Sequence, residues 1–253
     1  MENKCISIII PTYNEEERIR CCIESVRKLN PFEIIVVDGG STDRTREIAK
    51  DEGAIVIQSP KGRGIQMNKG ASLAKGDILL FLHADTIIAN ETSFLCHTKI
   101  IPGSKEIQKQ SVKQVQENVL DEISDISDKY IGGFFRLRFD DDSLSTRLVE
   151  FFANLRARLL SLPYGDQAIF IRRDIFEKIG GFKEYLFLED IDLVIRLRKL
   201  GKLKYIPYCV IASSRRIKKG FPFSPIIVSL RNALIALLFL LGVKPLSLVK
   251  IYK

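Results

Sequence analysis

The chain of 253 residues is long enough for one large α/β domain or two small ones. Its 46% hydrophobic and 28% charged residues are those of an ordinary globular protein, which excludes disordered, collagen-like and polytopic membrane chains. Lys+Arg 39 against Asp+Glu 31 leave +8, a balance that suits an anionic partner: nucleic acid, a phosphorylated small molecule or an acidic membrane face.

Five cysteines, two of them adjacent (Cys21, Cys22) and none in a C-x-x-C pair, exclude a disulfide scaffold and a cysteine zinc site. Reduced thiols and a cytosolic location are expected. The apolar run at residues 5–11 is too short for a signal peptide, so no secretion is implied.

Residues 6–10 and 34–37 are continuous β-branched runs, the pattern of strands buried on both faces of a parallel sheet. Between them Ile19, Cys22, Ile23 and Val26 recur at helical spacing, and Asn14 with Glu17 has the spacing of a capping box. A second unit follows: a helix capped by Ser41 or Thr42 runs to Lys50 and stops at Gly53, and residues 54–57 form a strand. A third helix is expected over 64–74, stopped by Gly76, and a buried strand over 78–82 ends at His83-Ala84-Asp85. This alternation predicts a mostly parallel sheet with helices on both faces and a ligand site beyond the strand carboxyl ends.

Residues 91–129 are polar with Ile107, Val115, Val119, Ile123 and Ile126 at near-helical intervals, which predicts one or two amphipathic helices. A strand is expected over 131–139. The helix over 144–160 is expected to turn Leu148, Phe151, Phe152, Leu155 and Leu159 inward and Arg147, Arg156 and Arg158 outward. A strand at 168–171, a short helix at 174–179 and a helix at 189–200 complete a domain over residues 1–220. Residues 221–253 form an apolar, basic-flanked segment in which 226–243 hold one charge, Arg231, and one amide, Asn232. That stretch is near the lower limit for a membrane span, but Arg231 and Asn232 would be costly in lipid. An interfacial contact with an anionic membrane, a packed helix and a span all stay open.

Asp38, after a buried strand, opens Asp-Gly-Gly-Ser-Thr-Asp; it suits either a ribose or base contact or a tight turn with a helix cap. Asp85 at a strand tip suits Mg²⁺ or Mn²⁺ held with diphosphate oxygens, and equally a solvated acid. His83 beside it is expected to pack or to act through water. Glu189, Asp190 and Asp192 open a helix, where the macrodipole favours carboxylates, and Asp190 is the candidate general base. Arg63, Arg215 and Arg216 are candidates for diphosphate contacts because Arg pairs bidentately with phosphate. Asp166 and Gln167, before a strand, suit a turn cap or a sugar contact.

In order along nearly the whole chain, these segments resemble the family-2 glycosyltransferases, which have the GT-A fold. Ile8-Ile9-Ile10-Pro11-Thr12-Tyr13-Asn14-Glu15 is similar to the family's opening strand and loop, and 38–43 to its nucleotide-binding motif, with Gly39 where a second Asp is usual. His83-Ala84-Asp85 is similar to its Asp-x-Asp metal motif with His in the first position, and Glu189-Asp190 to the pair that carries its base. Gly62–Asn68, Tyr164–Gln167 and Ser214–Arg216 resemble one bacterial-type subgroup. The resemblance implies an inverting transfer of sugar from a nucleotide-sugar donor to an acceptor hydroxyl or carboxyl. Pro11, Tyr13, Glu15 and Asp38 would frame the nucleotide, Asp85 would hold Mg²⁺ or Mn²⁺, and Asp190 would deprotonate the acceptor. A lipid-like acceptor fits a peripheral contact at the cytoplasmic face of a membrane. No nucleic-acid partner is expected, since no aromatic-basic platform is present. A nucleotidyltransferase, a donor-binding domain without turnover and a basic nucleic-acid-binding module are the competing classes.

Overall fold

The structure, a computed structural model, describes residues 4–89, 119, 122, 123, 126, 129–216 and 224–252. Its framework is an eight-stranded sheet in the order β3-β2-β1-β4-β7-β6-β8-β5. The strands are β1 (Ile6–Thr12), β2 (Glu33–Asp38), β3 (Ile55–Gln58), β4 (Ile78–Phe81), β5 (Thr86–Ile88), β6 (Tyr130–Phe139), β7 (Phe170–Arg172) and β8 (Lys202–Ala212). The helices are α1 (Ile19–Arg27), α2 (Thr45–Asp51), α3 (Arg63–Leu73), α4 (Leu144–Leu160), α5 (Arg173–Lys178), α6 (Glu189–Arg198), α7 (Ser224–Leu240) and α8 (Pro245–Tyr252).

The continuous apolar runs of β1, β2 and β4 are buried on both sides and pair in parallel, as expected. The expectation of a mostly parallel sheet is corrected beyond that point. β7 pairs antiparallel with both β4 and β6, and β5 pairs antiparallel with β8, so the sheet is mixed. β8 has no counterpart in the sequence reading: its Lys, Tyr and Pro residues hide an irregularly half-buried strand.

Only residues 82–85 join β4 to β5, yet β7, β6 and β8 lie between these two strands in the sheet. So short a link spans at most about 18 Å, so the sheet must curl until its β5 edge meets the end of β4. His83, Ala84 and Asp85 therefore bridge the mouth of the curl. Register shifts in the β6–β8 pairing, between Tyr130 and Gly132 and between Phe135 and Arg136, supply bends that permit this.

Several local expectations change. Asn14 caps nothing: α1 begins at Ile19 without a side-chain cap, and Asn14 adopts φ +53. Its Oδ1 accepts from Thr42 N at 2.9 Å while its own N donates to Ser41 Oγ at 2.9 Å, clasping the β1 and β2 exit loops together. Asp43, not Ser41 or Thr42, accepts from Thr45 N at the start of α2 (3.0 Å). Gly76 is a close approach rather than a helix stop, since a Cβ there would lie 2.6 Å from Ser7 N.

Helix α4 has the expected bounds but the opposite face. Thr146, Val149, Glu150, Ala153 and Ala157 are buried, whereas Phe151, Phe152 and Leu159 are exposed, the last at 73%. Small residues let the helix lie close to the sheet, and Asn154 fixes it there by accepting from Leu137 N (2.8 Å) and donating to Leu137 O (2.9 Å). Of residues 91–129, Val119, Ile123 and Ile126 are buried in the core; the helices expected there otherwise lie outside the described residues. In the tail, α7 packs along α4 and adds Ile235 and Ala236 to the core, with Leu248 from α8. Among the described residues no helix is long and apolar enough to cross a membrane.

Candidate active site

The exits of β1, β2 and β4 and the starts of α3 and α6 converge on one side of the curl. The Gly-Arg-Gly-Ile-Gln-Met-Asn stretch is the bolt of this assembly. Gln66 Nε2 donates to Thr12 O at 2.8 Å and to Val37 O at 2.7 Å, fixing α3 against the ends of β1 and β2. Asn68 exchanges two hydrogen bonds with the Phe182 backbone, both 2.8 Å.

Asp38 is fully buried, and its carboxylate accepts from Gly40 N and Ser41 N, each at 3.0 Å, with Arg46 at 3.8 Å. It shapes the loop at the exit of β2 rather than projecting into the cleft. Tyr13, 39% exposed, lies under the Lys61 ammonium, 3.4 Å from the ring centroid. Pro11 is buried in β1.

Asp85 sits where the chain crosses from β4 to β5. Arg215 Nη2 reaches it at 3.2 Å and also pairs with the buried Glu15 carboxylate. One guanidinium thus ties the turn after β8 to an acid at the exit of β1 and another beyond β4. The backbone holds this arrangement from below, Ser213 N donating to Asp85 O at 3.2 Å and Ser214 N to Asp140 Oδ1 at 2.7 Å. Arg216 closes the same short helical turn.

Asp190 opens α6 behind Leu188, whose φ of +68 places a bulky residue in left-handed backbone. Its Oδ2 accepts from Gly165 N at 2.6 Å and its Oδ1 from Ile191 N at 2.8 Å, so both oxygens are aimed by backbone. His83 meets the same point from β4: a Cβ on Gly165 would lie 2.9 Å from His83 Nε2 and 3.2 Å from Asp190 Oδ2. Glu189 is buried and pairs with Arg63 Nε at 2.6 Å. Burial pushes its carboxyl up to about 7, against the pull of Arg63 and with a push from Asp190. Burial likewise raises Asp166 to about 6, opposed by Arg156 and reinforced by Asp190 and Asp85. Gln167 is a fold residue, its Nε2 donating to Phe135 O at 3.2 Å and its Oε1 accepting from Tyr164 N at 3.3 Å.

Asp85, Asp166, Asp190, His83 and Arg63 share one cavity of about 260 Å³, near the lower end for small-molecule sites. Asp38 and Gln167 lie in its framework, and Tyr13 flanks it. Sequence reasoning missed its far wall, which is built by Val228, Arg231, Asn232 and Ile235 of α7. The signal was the polar pair interrupting an apolar helix. It also missed Arg156, stacked 3.5 Å from the Tyr164 ring centroid.

Among the described residues no group of three His, Cys, Asp or Glu side chains is arranged to hold a metal ion. Of the three carboxylates that line the cleft, Asp190 has both oxygens taken by backbone N–H groups and Asp166 is raised by burial, which leaves Asp85, beside Arg215, as the donor for a cation. That fits Mg²⁺ or Mn²⁺ only in the mode where substrate phosphates and water fill the remaining positions.

A curled mixed sheet thus brings acids at the strand exits together with a basic side chain, Arg215. The sequence profile of Glycosyl transferase family 2 matches residues 7–96. A PGL/p-HBAD biosynthesis glycosyltransferase of Mycobacterium bovis is 31% identical over 200 residues, covering 75% of this chain and 68% of that protein. The chain belongs to glycosyltransferase family 2. Glycosyltransferase EpsH of Bacillus subtilis is 33% identical over 93 residues, which is 34% of this chain but only 27% of EpsH. In fold, the chain is similar to the mannosyltransferase PcManGT from Pyrobaculum calidifontis, solved with GDP-Man and Mn²⁺. That match has TM-score 0.61 and 16% identity over 93% of this chain and 63% of the other. The GT-A-like arrangement is therefore shared.

Proposed function

We propose that this chain transfers a sugar from a nucleotide-sugar donor to a hydroxyl or carboxyl group of an acceptor, inverting the anomeric carbon. The observation that carries this reading is Asp190, with both oxygens oriented by backbone N–H groups and its carboxylate facing the cleft that Asp85 enters from the opposite strand. Asp190 accepts the acceptor proton while the acceptor oxygen bonds to the anomeric carbon, and the bond from that carbon to the diphosphate breaks on the other side. Arg215 stands beside Asp85, where the departing diphosphate gathers charge, and Arg63 lines the same cavity. Asp85 is the residue that would hold Mg²⁺ or Mn²⁺; the ion supplies positive charge for the diphosphate oxygens. Pro11, Tyr13, Glu15 and Asp38 frame the nucleotide end, and Arg216, next to Arg215 in the sequence, is assigned to the donor's phosphates.

Val228 and Ile235, which α7 adds to the wall of the cleft, support a lipid-like acceptor, and a peripheral contact of residues 221–253 with a membrane belongs to the same reading. The same reading places that contact at the cytoplasmic face of the membrane. Calorimetric titration with UDP-glucose, UDP-N-acetylglucosamine and GDP-mannose, each with and without Mn²⁺, tests the proposal. Binding of at least one donor is expected, and binding of none under either condition overturns it.

A further inference from the structure

The outward face of α4 carries Leu144, Phe151, Phe152 and Leu159, all more than half exposed. A large apolar side chain left in water forfeits its burial free energy, so a row of them marks a surface built to be covered. The neighbouring α7 continues the row with Ile227, Leu230 and Leu237, and α8 ends it with Leu246 at 78% exposure.

The exposed charges around this surface are predominantly positive, and the acids at the start of α4 are already engaged, Asp141 by Ser143 and Thr146 and Asp142 by Arg147. Beyond Asp192 the chain contains no Asp or Glu, while Lys and Arg recur from Arg196 to Lys253. The one acid of α4, Glu150, is buried, accepting from Phe139 N at 2.7 Å and pairing with Arg147. Arg158 and Lys244 are exposed beside the apolar residues. A two-fold pairing of this face with a second copy would set Arg158 and Lys244 against a face whose nearby carboxylates, Asp141 and Asp142, are confined to one end and already engaged. An anionic bilayer answers both features at once, the acyl region taking Phe and Leu and the headgroups taking Arg and Lys.

We propose that α4 and α7 together form a docking face for an anionic lipid bilayer, with α4 supplying the inserted aromatic residues. The docked helix α7 has two sides: its apolar row meets lipid while Val228, Arg231, Asn232 and Ile235 line the cleft beside Asp190. Docking therefore seats the cleft at the membrane surface, a consequence that rests on the transferase reading. It also gives Arg231 and Asn232 a place away from lipid.

The test uses the whole chain and sedimentation with vesicles of phosphatidylcholine, alone or mixed with phosphatidylglycerol. Binding to the mixed vesicles, weakened by salt, is expected. The F151E/F152E variant, whose side chains are exposed and free of the cleft, should bind at least about tenfold more weakly and keep the wild-type melting temperature. The conservative F151L/F152L variant should retain binding. A wild-type chain that ignores both vesicle types overturns the proposal, as does unchanged binding of F151E/F152E. A concentration-dependent dimer abolished by F151E/F152E reassigns the face to a second copy and also overturns it. Donor titration separates the two readings: vesicle binding without donor binding sinks the transferase and leaves docking intact, and the converse sinks docking alone.

Discussion

Replacing Asp190 by Asn tests the assigned base and carries a structural cost that can be worked out in advance. Both carboxylate oxygens accept backbone N–H groups, from Gly165 at 2.6 Å and from Ile191 at 2.8 Å. An Asn side chain has one carbonyl oxygen, so its NH₂ must face one of those two donors and leave it unmet. That costs about 1–3 kcal/mol of folding free energy, well short of the roughly 5–15 kcal/mol that keeps a domain folded. Loss of the base is expected to lower turnover by about 10²–10⁴, equivalent to about 3–5 kcal/mol of barrier. The variant should thus remain folded, bind donor with wild-type affinity and transfer almost nothing. The assay is product formation by mass spectrometry alongside calorimetric donor binding and a thermal melt. A folded Asp190→Asn chain that keeps more than about a tenth of wild-type turnover would refute the assignment.

Gly165→Ala places a methyl group 2.9 Å from His83 Nε2 and 3.2 Å from Asp190 Oδ2, so turnover should drop at least about tenfold while the melting temperature moves little. Arg63→Met removes the cation from a carboxylate whose side chain is 2% exposed; because Arg63 itself is 35% exposed, the loss should be about 3 kcal/mol, the lower end for a broken buried pair. Denaturant unfolding at pH 8 reads it, and Glu189→Gln in the same chain should restore most of the stability. Asp166 and Glu189 are raised to about 6 and about 7, so the folded chain holds protons there that the unfolded chain has already released. Their contribution to stability is therefore greatest in acid and falls as pH rises to about 7; melts of the wild type and of Glu189→Gln should show a shallower decline in the variant.

The nucleotide half of the fold was legible because its strands are buried on both faces. Ile8, Val36 and Leu80 stand in unbroken apolar runs, and such runs have few other homes. β8 was not legible, since Lys204, Tyr205 and Pro207 break its pattern and only its neighbours β6 and β5 make it a strand. Helix α4 shows the limit of counting hydrophobic residues: its largest side chains suggested the buried face, but close packing on the sheet selected Ala153 and Ala157. Asp190 was found from its place at a helix start. Its aim could not be, because that depends on Gly165, a residue 25 positions earlier. Asp38 and Gln167 had polar signatures that suited ligands equally well, and the structure spends both on turns. The tail was read as an appendage because Arg231 and Asn232 are too few to give a pattern; only the packing of α7 brings them to the cleft.

The placement of β5 has a consequence for the order in which the molecule assembles. β1 to β4 pair through short right-handed connections and can form as residues 6–81 leave the ribosome. β5 follows within a few residues and is met by α1, Ile88 N donating to Ser25 Oγ, but its strand partner is the segment 210–212, so Asp85 meets Arg215 only when the last strand arrives. Contacts of such long sequence separation form late and slowly. A nascent chain would own the exit loops of β1 and β2 well before it owned the Asp85–Arg215 pair, and a chain cut before β8 would stop at that stage.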